Sequence, residues 1–258
     1  MIIAGINAVS EALKGNITVE KLYIRKGLFT DKINSIIATA KSKGIRVVFE
    51  EKIRIDARSE SINNQGVVAE TTEFAYSSVE DILNARKSNN DNRLILLLDG
   101  IEDPHNLGAI LRVADSAAVC GVIIPRHHAV GVNDTVMKAS AGAAAHVLVA
   151  KVPNINDTIR YLKDEFINVY AADSSGDDIY LSDLTGDVAI VVGGEGEGVH
   201  KLTQRLANRI IALPQEGKVN SLNASVATGI ILYEALRQRR KNSNEKNDKS
   251  KDSNGDLK

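Results

Sequence analysis

"VAIVVGGEGEGVHKL", residues 188–202, is the stretch on which the reading of this chain turns. Its Val- and Ile-rich start predicts a buried strand, and it ends in four glycines interleaved with Glu195 and Glu197. Glycine turns after strands usually cradle phosphate, because bare backbone N–H groups can approach an anion. Two carboxylates inside the turn oppose that. The spacing is G-x-G-x-G, which is neither the G-x-G-x-x-G dinucleotide fingerprint nor a phosphate loop ending in G-K-[ST]. A ligand that is neutral or cationic at the contact suits such a turn, for example a nucleoside carrying a sulfonium. A tight turn with solvated acids is the plainer alternative.

Strands and helices alternate outward from this point. "RLILLLD" (93–99) precedes a helix from about Asn106 to Val119, then "GVIIP" (121–125), "FINVYAA" (166–172) and "RIIALP" (209–214), with a last helix over roughly Ala224–Arg240. Continuous apolar strands of this kind predict an α/β fold with a parallel sheet covered on both faces. Ligands of such sheets bind beyond the carboxyl ends of the strands. Three loops fall there: "DGIEDPHNLG" (99–108), "GGEGEG" (193–198) and "PQEGKVNSLN" (214–223).

In the first loop Pro104 pre-sets a helical φ and Asn106 can cap the first turn. Arg112 then either pairs on the surface with Asp115 or Ser116, or, with Gly108 clearing space on its face, joins Asn106 at a shared pocket. In the second loop a bare Gly194 is expected where a ligand contacts the backbone closely. In the third, Ser221 and Asn223 precede a helix of small residues, with Asn223 as its N-cap. Lys218 and Asn220 suit RNA phosphate and base-edge contacts. The five histidines form no hydrolytic set, and no carboxylate cluster completes a metal site.

Residues 1–75 read as a separate α/β module. "NAVSEALKG" is a short helix closed by Gly15, "VEKLYIR" and "IRVVFE" are strands, and "TDKINSIIATAKSKG" is a helix with Thr30 as N-cap and Gly44 at its end. "NNQG" turns the chain into "VVAETT". Residues 76–92 are polar and read as a linker, residues 93–240 as the main domain, and residues 241–258 as a disordered tail.

At 258 residues, 43% hydrophobic and 25% charged, the chain has ample material for a core. No apolar run approaches the ~20 residues of a membrane span, the N-terminus lacks a basic leader, and the single Cys120 excludes an internal disulfide. A reducing cytoplasm is the expected location. The net charge of −1 neither supports nor excludes a polyanionic partner.

Taken together, "LDGIEDPHNLGAILRVA", "VVGGEGEGV" and "LPQEGKVNSLNASVATGIILYEALRQ" resemble, in order and spacing, the three motifs of the SpoU branch of the SPOUT RNA methyltransferases. The likeness spans residues 94–240. The front module, with "GINAVSEAL" and "NNQGVVAE", looks like the small RNA-binding domain of bacterial 23S rRNA (guanosine-2′-O-)-methyltransferases, although Asn64 stands where these often carry histidine. The resemblance implies an α/β domain with a deep trefoil knot, a homodimer, and S-adenosylmethionine held by backbone groups at Gly193, Gly194, Leu213 and Leu222. It gives Arg112 the work at the ribose 2′-hydroxyl, with Asn106, Glu195, Ser221 and Asn223 shaping the site. An arginine rarely loses its proton, so a fixed donor fork orienting the hydroxyl and its neighbouring phosphate is the role expected of Arg112. The implied activity is 2′-O-methylation of a guanosine in 23S rRNA. A tRNA ribose methyltransferase of the same family, or a non-catalytic RNA-binding protein of ribosome assembly, are the alternatives. No metal and no membrane enter the expectation.

Overall fold

The computed structural model describes residues 1–15, 17–59, 63–85, 92–217 and 221–252, with side chains as far as Asn242. The chain opens with β1 (Ile2–Ala4), α1 (Ile6–Lys14), β2 (Val19–Arg25), α2 (Asp31–Ser42), β3 (Arg46–Glu50), α3 (Lys52–Arg58) and β4 (Val67–Thr71). There follow α4 (Val79–Asn84), β5 (Leu94–Asp99), α5 (Pro104–Ser116), β6 (Gly121–Pro125), α6 (Asp134–Ala139), β7 (Val149–Val152) and α7 (Ile155–Asp164). The last elements are β8 (Asn168–Asp178), β9 (Val188–Gly193), α8 (Lys201–Leu206), β10 (Arg209–Ala212) and α9 (Ala224–Asp252). Two compact units result.

The first unit comprises Met1–Tyr76, Asp103–Asp115 and Val130–Val147. Its sheet runs β1-β4-β2-β3, antiparallel except for the β2–β3 pair. Thr30 caps α2 through its hydroxyl, which accepts from Ile33 N–H (3.3 Å), and Gly44 follows the helix at φ +71°. Gly15 ends α1 and also admits a close approach. A Cβ there would lie 2.5 Å from Ala145 O. Ile2 N–H donates to Asp134 Oδ1 (3.0 Å), and His146 Nε2 lies 2.9 Å from Glu11 Oε2. Segments 1–76 and 130–147 therefore share one packed body. Asn64 is buried and holds its loop, giving its Nδ2 to Asp56 Oδ1 and Ser59 Oγ and accepting from Gly66 N–H.

The second unit comprises Ser77–Glu102, Ser116–Ala129 and Leu148–Lys258. Its sheet runs β10-β8-β9-β5-β6-β7, parallel throughout, as the apolar runs predict. Ile95, Leu97, Ile123, Val191 and Ile159 are fully buried in one cluster of its core. At the base of the sheet the buried Arg239 of α9 donates to the carbonyls of Leu184, Asn92, Arg93 and Gly186.

Two expectations change. The segment 76–92 is not simply a linker. Ser78 and Asp81 form a capping box at the start of α4, and Ile82 is fully buried beside Gly121, where a Cβ would meet it at 2.4 Å. One buried isoleucine in a polar stretch leaves too little periodicity to see. The tail is not coil from residue 241, since α9 continues to Asp252. No Gly or Pro occurs between Gly229 and Gly255, so nothing in the chain stops an already nucleated helix. β1 and β7 are strands too short for their patterns to register.

Candidate active site

The cavity is built at the carboxyl ends of β8, β9 and β10. β9 ends at Gly193, and the next turn folds back so that Gly194 and Gly198 form an antiparallel bridge, with Gly198 N–H donating to Gly194 O (3.2 Å). Gly196 and Gly198 supply φ of +91° and +64°, which side chains resist. A Cβ on Gly193 would sit 1.9 Å from the Gly198 backbone, and one on Gly194 would sit 2.1 Å from Gly100 O. Gly194 is thus bare because the chain after β5 passes against it. Its backbone also lines the cavity, where a close ligand contact is expected of it. Asp99 anchors the far end of the turn, with Oδ2 accepting from His200 N–H (3.1 Å) and Oδ1 lying 2.9 Å from His200 Nδ1.

Asn223 caps α9. Its Oδ1 accepts from Ser225 N–H (2.9 Å) and Val226 N–H (3.3 Å), and its Nδ2 donates to Glu195 Oε1 (2.9 Å). One side chain therefore fixes a helix start and an acid of the glycine turn together. Gly193, Gly194, Glu195, Leu213, Ser221, Leu222 and Asn223 all line one cavity of about 640 Å³. Lys218 and Asn220 lie outside the described residues.

Asn106 and Arg112 lie on α5, in the first unit. Asp103, not Asn106, caps this helix. Asp103 Oδ1 accepts from His105 N–H (2.9 Å) and its carbonyl from Leu107 N–H (3.0 Å). The acid before a proline at the first helical position fits the general preference, and it leaves Asn106 inside the first turn and buried. Gly108 clears space for α6, since a Cβ there would meet Ala139 Cβ at 2.4 Å. A pocket beside Arg112 is not what that glycine makes. Arg112 is exposed.

Residues 93–233 match the SpoU rRNA Methylase family, and residues 2–77 match a family described as RNA 2′-O ribose methyltransferase substrate binding. The chain belongs to the SpoU family. It is an RNA methyltransferase that uses S-adenosylmethionine. Among similar proteins, a TrmH family tRNA/rRNA methyltransferase of Bacillus subtilis, YacO, is 37% identical over 92% of this chain and 95% of its own. The 23S rRNA (guanosine-2′-O-)-methyltransferase RlmB of Shewanella oneidensis is 37% identical over 93% and 98%. An AdoMet-bound rRNA methyltransferase from Sinorhizobium meliloti superposes with a TM-score of 0.76 at 26% identity, covering 92% of this chain and 86% of that one. AviRb of Streptomyces viridochromogenes shares the fold, with a TM-score of 0.79 at 23% identity over 94% and 90%.

This SpoU cavity fits the cofactor on its own chemistry. Its volume lies in the roughly 300–1,000 Å³ range of small-molecule sites. Asp173, Glu195 and Glu197 line it, and no Lys, Arg or His stands among its described lining residues. A cationic ligand suits that lining better than an anion. Asp173 was missed by the sequence reading. β8 pairs with β10 through Ala171 and resumes at Asp177, so residues 172–176 leave the register, and Asp173 and Ser174 line the cavity. Asp173 Oδ1 accepts from the Ser175 hydroxyl (2.7 Å) and N–H (3.0 Å), and Oδ2 accepts from Gln204 Nε2 (2.9 Å). The Ser175 hydroxyl holds the Asp173 carboxyl below its ordinary value, outweighing the upward push of burial. An acid followed by two serines at the end of an apolar strand run was the available signal.

Proposed function

We propose that this protein methylates the ribose 2′-oxygen of a guanosine in 23S rRNA, working as a homodimer in the cytoplasm. The observation that carries the choice of RNA is the similarity to the Shewanella RlmB enzyme across 93% of the chain, through both the substrate-binding and the methyltransferase segments. The single buried cysteine suits a reducing compartment. Val226, Ile230 and Tyr233 leave an apolar stripe exposed along α9, and the exposed Leu222 just before the helix lines the cavity. That stripe supports a second copy of the chain as its cover.

S-adenosylmethionine supplies a methyl group already activated by the sulfonium. The remaining work is positioning. In this reading the backbone at Gly193, Gly194, Leu213 and Leu222 holds the cofactor. The exposed Arg112 presents a planar fork of donors to the ribose hydroxyl and the adjacent phosphate. Glu195, set by Asn223, and Ser221 shape the cavity wall, and Asn106 lies buried in the first turn of the helix that carries Arg112.

Mapping 2′-O-methyl groups on rRNA and tRNA from a deletion strain tests the assignment. Loss of one 2′-O-methylguanosine from 23S rRNA is expected. Loss confined to tRNA would move the substrate to the other branch of the family, and no loss in either would exclude the activity.

A further inference from the structure

Asp173 is the carboxylate of the cavity that no glycine-turn or helix-cap role explains. The cavity's described lining carries three acids and no base, and Asp173 is held at both of its oxygens by three donors from Ser175 and Gln204. Gln204 is itself pinned, its Nε2 also donating to Val199 O (2.8 Å) just after the glycine turn. The side chain cannot swing out to solvent without breaking all of these, so its negative charge is a permanent feature of the wall. Lys201 stands near enough to offset part of that charge, and none of the described lining residues cancels it.

The cofactor changes charge in the reaction. S-adenosylmethionine and the spent S-adenosylhomocysteine differ by one methyl group and by one unit of positive charge on sulfur. The methyl carbon leaves sulfur for the ribose oxygen, the carbon–sulfur electron pair stays on sulfur, and the hydroxyl proton is released. A fixed anion in the wall attracts the cation and is indifferent to the neutral thioether. Resting on the reading that this cavity is the cofactor site, we infer that Asp173 is a specificity-determining residue that favours the methylated cofactor over its product and so promotes exchange after each turnover.

At several ångströms and the screening of an open cavity, one such charge is worth about a three- to tenfold preference. Titration calorimetry of the full-length protein with each of the two ligands measures it. Asp173→Asn is expected to weaken S-adenosylmethionine about three- to tenfold while leaving S-adenosylhomocysteine within about twofold, and Asp173→Glu is expected to restore the preference. Equal weakening of both ligands, or no change in either, overturns the inference, because a merely structural role would not alter their ratio. A salt series on the unaltered protein beside Asp173→Asn separates Asp173 from Glu195 and Glu197, which line the same cavity. The ratio of affinities should shrink as salt is raised, and a salt-independent ratio overturns the inference. If the unaltered protein binds neither ligand, the cofactor reading itself fails. If it binds both with a constant ratio, only the role of Asp173 does.

Discussion

Asn223 Nδ2 donates to Glu195 Oε1 at 2.9 Å, while Oδ1 of the same amide accepts from the N–H groups of Ser225 and Val226. A single amide can do both because it has a donor end and an acceptor end. Aspartate is as good a cap as asparagine, but it would face Glu195 with a second carboxylate. Asn223→Asp should therefore keep the melting temperature of the protein close to normal and lower S-adenosylmethionine affinity and turnover. Asn223→Ala should lose about 1 kcal/mol of stability as well. Thermal melts beside calorimetry separate the two, and an Asn223→Asp protein with normal cofactor affinity would show that the Glu195 contact is incidental.

The glycine turn makes opposite forecasts for neighbouring residues. Gly194→Ala drives a methyl into Gly100 O, so it should destabilise the second unit through a backbone clash rather than remove the ligand alone. Gly196 has open space but a φ of +91°, so Gly196→Ala should lose only about 1 kcal/mol. Denaturant unfolding of both variants checks the order. A Gly194→Ala protein at least as stable as Gly196→Ala would contradict the packing.

Arg239 links the last helix to four carbonyls at the base of the sheet. Arg239→Met removes the donors and leaves buried acceptors behind, and a loss of about 2–4 kcal/mol is expected. Burial pushes the Arg239 guanidinium down from its ordinary value, but it stays charged at any pH where the protein folds. Chemical denaturation with a stability loss under about 0.5 kcal/mol would mean that the carbonyls find other partners.

Acid stability should depend on Glu234. Arg237, the larger cause, and Gln238 lower the pKa of the Glu234 carboxyl in the fold, against burial that raises it. A lowered folded value means the stabilisation is present above the unfolded value, near 4.5, and is lost as pH falls through the folded value. Glu234→Gln should flatten the acid limb of stability against pH and leave its slope above pH 6 unchanged. An unaltered acid limb would remove Glu234 from the account.

The parallel sheet was legible because strands buried on both faces read as unbroken apolar runs, as "LILLL" in β5 and "VAIVV" in β9 do. Seven of the expected residues line one cavity: loops after parallel strands converge at one edge, and the family resemblance supplied Gly193, Leu213 and Leu222. Periodicity could not show the excursion of residues 172–176, because a register shift belongs to the pairing of two strands and not to either one. For the same reason Asp173 stayed hidden, and Gly108 was read as opening a pocket where Ala139 stands. Nor does any local signal tie residues 130–147 to the front module. Gly15 against Ala145 and Ile2 against Asp134 are long-range contacts, and a truncation at residue 75 would strip them away.

The central claim is methyl transfer to a ribose, with Arg112 serving the acceptor RNA and not the cofactor. Incubation of the purified protein with methyl-labelled S-adenosylmethionine and unmodified 23S rRNA, followed by digestion to nucleosides, tests it most directly. Label is predicted in 2′-O-methylguanosine alone, and it should vanish for Arg112→Ala while calorimetry finds cofactor affinity within a few-fold of normal. Label in a methylated base, or near-normal transfer by Arg112→Ala, would contradict the account.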